Sequence, residues 1–149
     1  MRKPRILLAD DHPLMLTVLC DFLEGGPGEV VGTVDDGVAL VDAAQRLDPD
    51  VIIMDISMPR LDGLDATRVL QKTVPRSKVI ILTVYREPIY ATLVFAAGAR
   101  GYLLKRNLHA ELAQALLHVV AGDRYIGRGM KEGCASVDET KVSTWTSWP

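Results

Sequence analysis

The chain is short of cysteine, of net charge and of any long apolar run, and each shortage removes a class of protein. Its 149 residues include two cysteines, Cys20 in an apolar helical pattern and Cys134 in a polar stretch. That pair fits neither a disulfide framework nor the ligand spacing of a metal-binding module, so both read as ordinary thiols. Seventeen basic residues against nineteen acidic ones leave a formal charge of -2, too little for an overall basic field that grips nucleic acid. No run of about 18 apolar residues occurs, and residues 1–5 lead into a stretch that ends in acids rather than at a small-residue cleavage site. The expectation is a cytoplasmic protein without membrane contact. At 48% hydrophobic content, a chain of this length can bury one continuous core.

What is present is alternation. Residues 6–9 form a short, unbroken apolar run, as a strand does when both faces of a parallel sheet are covered. Residues 30–34, 51–54, 79–82 and 101–104 resemble it, and three of these four are rich in Val and Ile, the residues that favour strand over helix. Helical spacing fills the intervals. Leu14, Val18, Leu19, Phe22 and Leu23 make one apolar stripe; Val38, Val41, Ala44 and Leu47 make a shorter one. Leu64, Thr67, Leu70 and Val74 mark a weaker third helix, residues 89–97 a fourth that Gly98 can end, and residues 108–121 a fifth that Gly122 can end. Five consecutive strand-helix units imply an α/β doubly wound parallel sheet of five strands with right-handed crossovers. In such sheets ligands sit beyond the carboxyl ends of the strands.

The polar residues fall at those ends. Asp10 and Asp11 follow the first strand, Asp55 the third, Thr83 the fourth and Lys105 the fifth. Adjacent acids behind a buried strand cost stability unless a cation or a donor neutralises them. Taken alone, Asp10 and Asp11 would equally suit a helix N-cap before Pro13. With three further polar groups at the same sheet edge, the partner can be a divalent metal. Mg²⁺ favours oxygen from one or two carboxylates, with waters and substrate phosphate completing its shell. His12 reads as a residue that caps or packs near the first helix, and His109 and His118 as solvated or locally satisfied.

The phrases "LLADDH", "DVIIMDISMPRLDGL", "VIILTVY" and "GARGYLLK" resemble, in order and spacing, the receiver domain of two-component response regulators. "GARGYLLK" and "VVAGDRYI" look most like the NarL/FixJ branch, whose members carry a LuxR-type helix-turn-helix after a linker. The resemblance covers residues 4–122 and implies a flavodoxin-like fold with strand order 2-1-3-4-5. It implies that Asp55 is the phosphoacceptor, that Asp10 and Asp11 are metal-binding acids with Asp55, and that Ser57 offers the metal its backbone carbonyl. Thr83 and Lys105 would contact the phosphoryl group, Tyr102 would be the switch aromatic, the cofactor would be Mg²⁺, and the partner a sensor histidine kinase. The chain would be no enzyme beyond taking phosphate onto itself. Two positions depart from the pattern: Arg106 stands where proline is usual, and Val84 where a small residue is usual. A branched Val84 would narrow the approach to the site.

The receiver is expected over residues 1–122 and a flexible tail over 123–149. That tail holds four basic and four acidic residues and no apolar stripe. Being too short for about three amphipathic helices, it offers no helix-turn-helix, so direct DNA binding by these residues is not expected. Trp145 and Trp148 would belong either to a loose end or to a docking segment. Output would then pass through the face between the fourth and fifth helices, where Tyr85, Ile89 and Tyr90 could meet a second copy or another protein. Set against the phosphorylated switch is a receiver-shaped interaction module, or a truncated transcriptional regulator, without phosphate-dependent output. A Mg²⁺-dependent phosphohydrolase is disfavoured, since Ser57 stands where its second general acid would.

Overall fold

The computed structural model describes residues 2–130. Strands and helices alternate as β1 (Arg5–Ala9), α1 (Pro13–Leu23), β2 (Glu29–Val34), α2 (Gly37–Leu47), β3 (Val51–Met54), α3 (Gly63–Thr73), β4 (Lys78–Thr83), α4 (Pro88–Ala96), β5 (Gly101–Leu104), α5 (Leu108–Val120) and β6 (Tyr125–Ile126), with a short 3₁₀ turn at Lys105–Asn107 before α5. All pairings are parallel, in the order β2-β1-β3-β4-β5-β6. The expected order 2-1-3-4-5 holds for the first five strands. The expected count of five is corrected to six.

The central strands β1, β3, β4 and β5 bury both their faces, and successive side chains alternate across the sheet. Leu7, Ile52, Met54, Val79, Ile81 and Tyr102 join the core under α2, α3 and α4, while Ile6, Leu8, Val51, Ile53, Ile80 and Leu103 join the one under α1 and α5. Continuous apolar runs are therefore what the sequence must supply, and it does. Helix entries are marked chemically. Asp36 caps α2 by accepting from Ala39 N–H at 2.7 Å, Asp62 caps α3 by accepting from Asp65 N–H at 2.9 Å, and Pro13 and Pro88 open α1 and α4. Gly98 and Gly122 follow the ends of α4 and α5 with φ of +116° and +98°, values that a side chain disfavours. No helix among the described residues is long and apolar enough to cross a membrane.

The sixth strand also moves the expected boundary at residue 122. Tyr125 and Ile126 pair with Gly101 and Tyr102, and Met130 is fully buried, so residues 125–130 are part of the packed domain rather than of a flexible tail. Cys134, Trp145 and Trp148 lie outside the described residues.

Candidate functional site

The parallel register aligns the strand ends. Ala9 pairs with Met54, Met54 with Ile81, and Thr83 with Leu104, so the residues just beyond each end share one crevice. Asp55 N–H donates to Ala9 C=O and Asp10 N–H to Val34 C=O, both at 3.1 Å; these bonds extend the ladders by one residue and fix the two carboxylates. Behind Asp55 the loop folds tightly onto α3. Gly63 N–H donates to Ile56 C=O at 2.7 Å, and a Cβ at Gly63 would lie 2.6 Å from Ile56 Cα, so this approach requires glycine.

Of the two adjacent acids, Asp10 meets an ammonium that it shares with Asp55. Lys105 Nζ lies 2.8 Å from Asp10 Oδ2 and 2.7 Å from Asp55 Oδ2, with the side chains of all three 10% exposed or less. Burial alone would lower the lysine pKa, but the hydrogen bonds and charges of Asp10 and Asp55 outweigh it and hold the ammonium above the ordinary lysine value. Asp11 is more open to solvent than Asp10 and Asp55 and meets His12 instead. The His12 ring places Nδ1 2.9 Å from Asp10 Oδ1 and 3.0 Å from Asp11 Oδ1, while its backbone N–H donates to Asp10 Oδ1 at 2.9 Å. His12 does stand at the N-cap of α1 as expected, yet its side chain makes no cap bond and joins the acids. Its adjacency to them was the available signal.

Asp10, Asp11, His12 and Asp55 offer ligand atoms that all lie within 4.8 Å of one another. Three carboxylates against one ammonium leave two negative charges uncompensated. A set of hard oxygen donors with that residual charge fits a divalent cation of the Mg²⁺ type. Ser57, the fourth expected ligand, sits beside Asp55 and directs its N–H toward Asp55 Oδ1 at 3.4 Å.

The remaining expected residues lie at the crevice but do not bond to its acids. Thr83 is fully buried at the end of β4, and its Oγ1 accepts from Tyr85 N–H at 3.5 Å. Tyr102 is turned inward and fully buried, donating its hydroxyl to Tyr85 C=O at 2.8 Å. Tyr85 thereby becomes a hub that sequence reasoning assigned only to an outer face. Its hydroxyl lies 2.8 Å from Ser57 Oγ, bridging the loops after β3 and β4, and its ring stacks on Tyr90 at 4.7 Å. Val84 is 66% exposed, so its branched side chain faces solvent beside the site instead of filling the core. His109 and His118 meet the rings of Phe22 and Tyr125 edge-on, each at 5.5 Å.

Comparison with known proteins agrees with this geometry. The family model of the response regulator receiver domain matches residues 6–117. The response regulator GacA of Pseudomonas viridiflava is 42% identical over 123 residues, covering 82% of this chain and 58% of that protein. The nitrate/nitrite response regulator protein NarP of Escherichia coli K12 is 39% identical over 113 residues, covering 75% and 53%. The chain thus spans little more than half the length of these relatives. Among solved structures, a two-component response regulator of the LuxR family from Aurantimonas sp. SI85-9A1 matches with a TM-score of 0.85 at 29% identity, over 90% of this chain and 96% of that one. The isolated REC domain of RcsB from Salmonella enterica serovar Typhimurium, solved in the presence of the phosphomimetic BeF3-, matches with a TM-score of 0.80 at 27% identity, over 88% and 98%. With its motifs in order, its sheet in the matching topology and its acids in one crevice, the chain belongs to the response regulator receiver domain family, among relatives of the LuxR/NarL type.

Proposed function

We propose that this receiver is a phosphorylation-dependent switch in which Asp55 accepts a phosphoryl group from a phosphohistidine of a sensor histidine kinase. The observation that carries the reading is the nearly buried Asp55 carboxylate with the Lys105 ammonium at 2.7 Å and two further acids in the same crevice. An Asp55 oxygen attacks phosphorus, the phosphorus–nitrogen bond of the donor breaks, and the departing imidazole keeps the electron pair with a proton on its other nitrogen. An acyl phosphate remains on Asp55. Lys105 stands where the phosphoryl oxygens gather charge and follows them without reorganising the site. Asp10, Asp11, Asp55 and the Ser57 carbonyl would hold a Mg²⁺ ion, which when bound supplies the further positive charge that phosphoryl transfer needs.

Thr83 would pass the event outward. Its hydroxyl can turn from Tyr85 N–H toward a phosphoryl oxygen, and that movement tightens the loop on which Tyr102 already holds Tyr85 C=O. Tyr102 is inward in this structure, and phosphorylation would act by raising the population of this arrangement. Differential contacts of about 2 kcal/mol would change a two-state ratio roughly 30-fold. The face at Tyr85, Ile89 and Tyr90 is where a second copy or another protein would sense it.

The test is the mass of the protein after incubation with Mg²⁺ and a small acyl phosphate. Wild type gains one phosphoryl group, while Asp55→Asn, which keeps the shape and removes the nucleophile, gains none. A variant that took phosphate as readily as wild type would exclude Asp55.

A further inference from the structure

Among the described residues, one buried carboxylate stands outside the phosphoryl site. Glu111, in the first turn of α5, is 1% exposed and takes no part in the contacts of Lys105. A carboxylate is tolerated in such a place only where donors replace water. Here the donors come from the segment after α5. The Tyr125 hydroxyl donates to Oε1 at 2.7 Å, and Arg128 N–H is shared between Oε1 at 3.1 Å and Oε2 at 3.2 Å. The dependence is mutual, because a strand of two residues makes too few ladder bonds to hold its own place.

The same segment touches the switch. Gly127 N–H donates to Tyr102 C=O at 2.8 Å, so the residue whose side chain fixes Tyr85 has its carbonyl committed to the chain just after β6. A Cβ at Gly127 would lie 3.2 Å from that carbonyl oxygen, which is why the chain can close so tightly there. Arg124 lays its guanidinium 5.0 Å from the centre of the Phe95 ring on α4, and Met130 buries its side chain in the core shared by Tyr102 and α4. Residues 124–130 therefore clasp α4, β5 and α5 together, and they are the way out of the domain.

We propose that Glu111 pins residues 125–130 as an exit strand whose docking is coupled to the inward state of Tyr102. Residues 125–130 are then held closer when Asp55 is phosphorylated and released more often when it is not. The phosphoryl half of this statement rests on the function proposed above; the pin and its coupling to Tyr102 do not. Binding that favours one arrangement must in turn be favoured by it, so weakening the pin also weakens affinity for a phosphoryl mimic.

Amide hydrogen exchange resolved by residue, on the full chain, tests each half. Glu111→Ala should speed exchange at Gly127 and Arg128 at least tenfold while leaving β1 and β3 unchanged; Glu111→Gln, which keeps one acceptor, and Tyr125→Phe should give smaller increases. Tyr102→Phe, which frees Tyr85, should speed exchange at Gly127 as well. In wild type, beryllofluoride with Mg²⁺ should slow Gly127 exchange severalfold, and the Glu111 variants should bind the mimic more weakly by the same factor. Unchanged exchange in Glu111→Gln and Tyr125→Phe overturns the pin, and an unchanged Gly127 in Tyr102→Phe overturns the coupling. Failure of wild type to bind beryllofluoride at all would count against the phosphoryl reading, and the Tyr102 comparison would still decide the rest.

Discussion

Replacing Lys105 by Met keeps most of the buried stem and removes the charge that holds Asp10 and Asp55 together. Those two side chains are 3% and 5% exposed, and stripping the counter-ion from a buried pair costs roughly 3 to 5 kcal/mol. The half-open side of the crevice, where Asp11 and His12 meet solvent, admits water to the stranded acids and places the loss near the low end, about 3 kcal/mol. Asp55→Asn should behave differently. It subtracts one negative charge and keeps the Lys105–Asp10 contact, so its stability stays within about 1 kcal/mol of wild type. At a urea slope of about 2 kcal/mol/M, the lysine variant unfolds about 1.5 M earlier than wild type when Mg²⁺ is chelated. Mg²⁺ at about a hundred times its Kd adds about 2.7 kcal/mol to whichever protein binds it, and the variant, with one more uncompensated charge in the crevice, binds it more tightly; the gap therefore narrows. The sign with pH follows from the raised Lys105 pKa. The ammonium's contribution is complete below the ordinary value of 10.5 and is lost as pH rises through the higher folded value, so the two proteins converge only in strong alkali. If Lys105→Met and Asp55→Asn had equal urea midpoints in the presence of chelator, the claim that Lys105 offsets the acids would be wrong.

Asp11→Asn should lower Mg²⁺ affinity tenfold or more by calorimetric titration with a stability change under about 0.5 kcal/mol, since the residue is exposed and pairs with the exposed His12; unchanged affinity would remove Asp11 from the ligand set. Tyr125 should ionise late, because burial first and the Glu111 carboxylate second push its phenol from 10.0 up to about 12. The folded state thus keeps that proton longer, a stabilisation complete below pH 10 and lost as pH climbs toward 12; an ultraviolet titration with no late step absent from Tyr125→Phe would contradict it. With a formal charge of -2, this chain should give no salt-resistant, sequence-dependent gel shift, phosphorylated or not.

The legible parts of this molecule are those whose cause is local or periodic. A strand buried on both faces must be apolar throughout, and residues 6–9 and 51–54 show it without any partner in view. A parallel sheet places every carboxyl end on one edge, so Asp10, Asp55 and Lys105 could be brought together by counting strands. The sixth strand escaped because Tyr125 and Ile126 are too few to show a period, and because what holds them is Glu111, fourteen residues earlier. On sequence Glu111 is an ordinary helical acid; only the arrival of Tyr125 and Arg128 makes it buried. Tyr85 escaped for a related reason, since its two roles, a carbonyl for Tyr102 and a hydroxyl for Ser57, depend on how two loops cross.

The charge balance of the crevice connects its stability to its use. Two further cationic groups would neutralise the acids and leave nothing for a divalent cation to do, while removal of Lys105 would leave three carboxylates with no cation among them. One ammonium shared by Asp10 and Asp55 is the intermediate case. It suffices to fold the site, because each buried acid has a contact below 3 Å, and it leaves two charges over, which is the deficit that a divalent ion satisfies. An acyl phosphate on Asp55 would consume that carboxylate's charge and add its own farther out, so Lys105 would turn from a clamp between two acids into a contact for the new oxygens. The stem of Lys105 leaves the backbone immediately after Leu104, the last residue of β5, and Leu103 anchors that strand in the core under α1 and α5. On the coupling proposed above, a shift of the ammonium would reach the strand that carries Tyr102 and, through Gly127, residues 125–130.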